Sequence, residues 1–126
     1  MKDMERAVRC YRGAFSRGHP GAAVNLSNCY DSGDGVAINK SKVFELDTFA
    51  ADLGHPIAIN NLGCCYLFGK GCSINHTMKV KLWKQASGLG YPMSQVNLGR
   101  SGQTRQNFVK YLRTEGCCWS DAVHFS

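Results

Sequence analysis

The sequence predicts an all-α fold, an α/α solenoid of antiparallel helix pairs built on a 36-residue repeat. Three observations carry this. Residues 18–53 and 54–89 align without a gap, with 15 of 36 positions identical. Each copy opens on Gly-His-Pro and carries a Gly-x-Gly run near its middle. Between these marks the apolar residues recur at helical spacing, and a fixed period of this length is the signature of a stacked repeat.

The first copy reads GHPGAAVNLSNCYDSGDGVAINKSKVFELDTFAADL and the second GHPIAINNLGCCYLFGKGCSINHTMKVKLWKQASGL. A third opens at residue 90 with GYPMSQVNLG. The matches include Gly18, Gly54 and Gly90, then Pro20, Pro56 and Pro92, then Asn25, Asn61 and Asn97. The first seventeen residues are a partial copy, with Asp3 in the place of Asn39 and Asn75. The expected organisation is a partial unit at 1–17, full units at 18–53 and 54–89, and a partial unit at 90–99. A non-repeat tail at 100–126 follows, in which Thr104, Phe108, Val109 and Leu112 suggest a capping helix.

Each unit is expected to hold two helices. The first starts at Pro20 or Pro56, where a missing N–H costs nothing. Ala22, Leu26 and Tyr30 share one face at i, i+4, i+8, and Ala58, Leu62 and Tyr66 repeat the spacing. Gly33 or Gly69 ends that helix. The loops GDGVAIN and GKGCSIN place two glycines where positive φ is needed. Asn39 and Asn75 are N-caps of the second helix. Val43, Leu46 and Ala50 face inward along it, and Gly54 or Gly90 suits the position just past its end. One pair cannot bury both its apolar faces, so copies must stack. Gly63 and Gly99 allow close helix approach, and Ser27 departs from that pattern.

The pattern A-x-x-N-L-G-x-x-Y-x-x-G-x-G-V-x-x-[ND]-x-x-K-A, closing with A-A-x-x-G, resembles the Sel-1-like repeat, a relative of the tetratricopeptide repeat. AINNLGCCYLFGKGCSIN and AAVNLSNCYDSGDGVAIN carry the resemblance, which covers residues 3 to 99. It implies an adaptor that holds partners on a curved surface, as in endoplasmic-reticulum quality control, chitin-synthase activation, bacterial signalling or host interaction. Asp47 stands where that family has an aromatic, whereas Tyr11 and Trp83 fit, and Lys79 stands at a usual Ala. After Gly99 the pattern fails, with Gly102 at a Tyr position and Arg105 at a Gly position. A secreted, cysteine-rich branch bridges its helices with disulfides beside the unit boundary. The corresponding positions here are Ala51, Ala58 and Ile59, so that scheme is not carried across.

The charge is +6 with seven cysteines in 126 residues. Lys2, Arg6, Arg9, Arg12 and Arg17 concentrate the positive charge near the start, but no nucleic-acid-binding signature accompanies them. No apolar run is long enough for a membrane span. The charged start MKDMERAVRCYRG lacks a secretory h-region, so a cytoplasmic location with reduced thiols is expected. Cys29 and Cys65 are repeat-equivalent and read as core packing. Cys72 with His76, and Cys117 and Cys118 with His124, are weaker metal arrangements than a four-ligand site demands. His19 and His55 read as turn or cap residues. The sequons at Asn25, Asn39 and Asn75 read as structural. No cofactor, metal or catalytic residue is expected.

The expected function is a protein-interaction scaffold or adaptor for a protein or peptide. Its recognition face is drawn from positions that vary between copies, namely Val24, Asn28, Asp31, Asn60, Cys64 and Leu67, with Lys70 on the adjoining loop. Two alternatives stand beside it. One is a thiol- or metal-dependent hydrolase using the Cys and His residues. The other is a structural fragment of a longer repeat protein, with end-to-end self-association.

Overall fold

A computed structural model describes residues 2–101. Among these residues there are six helices and no strand: α1 (Lys2–Ser16), α2 (Pro20–Ser32), α3 (Lys40–Asp52), α4 (Pro56–Phe68), α5 (His76–Gly88) and α6 (Pro92–Ser101). Each helix packs chiefly on its neighbours in sequence, so the chain runs up and down along a stack. The expected capping helix in the tail lies outside the described residues.

Local chemistry sets the helix ends. Pro20 and Pro56 each occupy the start of a first helix. The side chains of Asn39 and Asn75 accept from the backbone N–H of Lys42 and Met78, both at 3.1 Å. Each such cap contributes about 1 kcal/mol. The loops close when the N–H groups of Asn39 and Asn75 donate to the carbonyls of Tyr30 and Tyr66, at 3.0 and 2.9 Å. Gly33 and Gly69 end the first helices in the left-handed region, at φ 82° and 75°. After α3 the N–H groups of Gly54 and His55 donate to Ala51 and Ala50, which is the paired bonding of a Schellman ending.

The core runs the length of the stack. Val8, Leu26, Val43, Leu46, Ile59, Leu62 and Leu82 are buried in one continuous apolar cluster, with Tyr11, Phe15, Tyr30 and Tyr66 packed against it. Phe15 of α1 meets Phe49 of α3 edge to face, with ring centroids 4.9 Å apart. This links second helices of successive units.

Two close approaches repeat. A Cβ at Gly35 would lie 2.7 Å from the carbonyl oxygen of Met4, and one at Gly71 would lie 2.5 Å from that of Lys40. Met4 and Lys40 are 36 residues apart, as are Gly35 and Gly71. Each loop therefore rests on the first turn of the preceding unit's second helix, at a distance only glycine permits.

Candidate interaction surface

The expected recognition residues divide by burial. Asn28 is exposed on α2, and Asp31 and Leu67 are half-buried. Val24, Asn60, Cys64 and Lys70 are buried. The structure places these four inside the stack, because a position can vary between copies for packing reasons as well as for recognition.

Asn60 shows the reason most directly. Its Oδ1 accepts from the Ser94 hydroxyl at 2.8 Å and from Asn97 Nδ2 at 3.0 Å. Its backbone carbonyl accepts from Trp83 Nε1 at 3.1 Å. Val24, an apolar residue, holds the equivalent place one unit earlier. Asn60 therefore ties α4 to α6 with polar bonds inside the stack, where an unmade bond would cost about 1–3 kcal/mol.

Lys70 is held by charge. Its Nζ lies 3.1 Å from Asp31 Oδ2, and Lys40 pairs with the other oxygen of the same carboxylate. Asp31 thus joins the end of α2, the start of α3 and the α4–α5 loop of the next unit. Lys70 Nζ also lies 5.6 Å from the Phe68 ring centroid. The repeat comparison does not reveal this cluster, because Asp31, Lys40 and Lys70 correspond to Leu67, His76 and Asp34, which carry no matching set.

A second polar group is deeper. Asp47 on α3 is 2% exposed, and its Oδ1 has no hydrogen-bond partner. Its Oδ2 accepts from the Cys65 thiol of α4 at 3.6 Å. Burial is the main cause that, together with Asp31, raises the carboxyl to about 7 against the lowering pull of the Ser27 hydroxyl, the Cys65 thiol and the Lys70 ammonium. Cys65 itself is raised, first by burial and then by the charge of Asp47. Cys29 and Cys72 are raised, first by burial. A thiol shifted in this direction is a poor nucleophile at neutral pH.

The histidines sit at helix entries. His19 and His55 are the residues before Pro20 and Pro56, and neither side chain makes a capping hydrogen bond. Among the described residues, no three His, Cys, Asp or Glu side chains converge as metal ligands. Cys117, Cys118 and His124 lie outside them. None of the described helices is long and apolar enough to cross a membrane.

The surface carries apolar residues in register. Ile38 and Ile74 are 60% and 59% exposed, and Leu53 and Leu89 are 56% and 54% exposed. Each pair is one repeat apart. The isoleucines sit in the loops within units and the leucines at the turns between them. On α1, Arg6, Arg9 and Arg12 are exposed, and Arg12 Nη2 donates to the Tyr30 hydroxyl at 3.1 Å.

Solved structures share this arrangement of helices. A Sel1 repeat protein from Oxalobacter formigenes superposes with a TM-score of 0.76 over 80% of this chain, at 24% sequence identity. The chain has the Sel1-like repeat fold. A second Sel1-like structure, c5321, is described as a protective antigen present in uropathogenic Escherichia coli strains. It superposes with a TM-score of 0.71 over 86% of this chain, at 26% identity. The matched regions span 30% and 25% of those two proteins. No sequence-family model and no curated protein sequence matches the chain. The Sel1-like likeness therefore rests on the three-dimensional arrangement and on the repeat motifs.

Proposed function

We propose that this chain is a protein-interaction scaffold, an adaptor that binds a protein or peptide on its repeat surface and performs no catalysis. The observation that carries this reading is the Sel1-like stack itself, a fold typically used for protein interaction. Its side chains at the same repeat position differ from unit to unit, which suits recognition of an irregular partner surface. The binding positions are Asn28, Asp31 and Leu67, with the core positions Val24, Asn60, Cys64 and Lys70 supporting them from beneath. A cytoplasmic setting belongs to the same reading.

The test is affinity capture with purified wild-type chain and two variants, Asn28→Arg and Leu67→Asp, each checked for unchanged helix content. A partner held by the wild type and weakened at least tenfold by either variant supports the proposal. Equal capture by all three overturns the placement of the surface. Capture of this chain by itself, rising with concentration, would favour end-to-end assembly instead.

A further inference from the structure

The first and second helix pairs meet at a joint made by α2, α3 and α4, and Asp47 sits inside it. In the second unit the equivalent residue is Trp83, which packs on Gly63. In the first unit the corresponding two positions are Asp47 and Ser27. A carboxyl thus replaces an indole at an interior position. One of its oxygens is unpartnered and the other meets a thiol from the next unit.

We propose that Asp47 is a proton-operated latch on this joint, holding the two helix pairs together in mildly acidic solution and loosening them as the carboxyl ionises. The geometry supplies the reason. A neutral carboxyl can stay beside Ser27 and Cys65 at modest cost, whereas a buried carboxylate with an unpartnered oxygen is strongly disfavoured. Local opening of the joint admits water and lets the group ionise at its ordinary value.

The charged and titratable groups that face Asp47 do not cancel this. From α2 comes Asp31, whose negative charge opposes ionisation. From the α4–α5 loop comes Lys70, which favours ionisation but is already paired with Asp31. From α4 comes Cys65, itself raised and therefore neutral. On α3, Lys40 is directed at Asp31, and Lys42 pairs with Glu45 at the surface, 3.5 Å away.

The sign follows from linkage. The closed joint keeps the proton up to about pH 7, and the open joint loses it near the usual aspartate value of 3.8. Closure is therefore favoured most below that lower value. It weakens by up to about tenfold per pH unit through the window between the two and is constant above it.

Two measurements on the full chain test this. The first is hydrogen exchange of the α3 and α4 amides at pH 5 and pH 7, corrected for the intrinsic exchange rate, in wild type and Asp47→Asn. The expected result is a loss of protection of tenfold or more in wild type, with a much smaller change in the variant. Equal pH dependence in both overturns the proposal. The second needs no variant: the side-chain carboxyl carbon of Asp47, followed by NMR, should titrate near neutrality. A midpoint in the ordinary carboxylate range overturns the proposal even if Asp47→Asn fails to fold.

Discussion

Trp83 and Gly63 are fitted to one another. A Cβ built on Gly63 would stand 2.6 Å from Trp83 Nε1 and 2.7 Å from its Cδ1. The same Nε1 donates to the Asn60 carbonyl. The indole is fully buried, and Lys79 Nζ lies 5.3 Å from its ring centroid. The fit predicts that Gly63→Ala displaces the ring and breaks its bond to Asn60, costing about 1–3 kcal/mol. Chemical denaturation would measure it. Gly21→Ala is the contrasting substitution: nothing lies within 4 Å of a Cβ there, and stability should rise by about 0.5–1 kcal/mol.

In the first unit Ser27 and Asp47 hold the places of Gly63 and Trp83. Asp47→Trp alone should clash with the Ser27 side chain. Combined with Ser27→Gly it should be accommodated, as in the unit that follows. A double-mutant cycle should show favourable coupling of about 1 kcal/mol or more, whereas additivity would mean that the two positions are independent.

The loop glycines should be less tolerant than those at the turns between units. Gly71 combines a φ of 68° with a backbone oxygen where a Cβ would go, and Gly54 has a φ of 82° but open space. Gly54→Ala should cost about 1–2 kcal/mol from the left-handed backbone alone. Gly71→Ala should cost clearly more, because the Lys40 carbonyl must also move. Thermal unfolding of the two variants side by side would decide the order.

Global stability should respond to pH through Asp47. Its raised value means that Asp47's own contribution is fully present below the ordinary aspartate range and is lost as pH rises to about 7. The full gap corresponds to about 4 kcal/mol. Asp47→Asn should therefore gain on the wild type steadily between pH 4 and pH 7 in urea titrations, and hold that advantage at pH 8.

Removing a cap isolates a single bond. Asn75→Ala should destabilise the chain by about 1 kcal/mol and fray the first turn of α5, visible as faster exchange at the Met78 amide.

Much of the fold was legible in the sequence, because backbone requirements leave strong residue marks. Pro20 and Pro56, Asn39 and Asn75, and Gly33 and Gly69 each answer a local need, and repetition separates them from chance. The surface was less legible. Val24 and Asn60 differ between copies, yet both are interior, since Asn60 finds Ser94 and Asn97 on α6. Asp47 and Ser27 were each visible as departures from the pattern. What linked them was their pairing in space, which a comparison of corresponding positions across the two helices of a unit could have found. The Asp31, Lys40 and Lys70 cluster left no such mark, because its members come from non-equivalent positions.

The contacts of Gly35 with Met4 and of Gly71 with Lys40 work as mechanical stops. Each sets how far one unit advances along the stack, so the spacing is fixed by backbone touching backbone and not by the softer apolar core. A residue added to either loop would lift the next unit off its stop and throw every later helix out of phase. Lengthening this array by design is therefore possible in whole steps of 36 residues, and trimming it should obey the same rule.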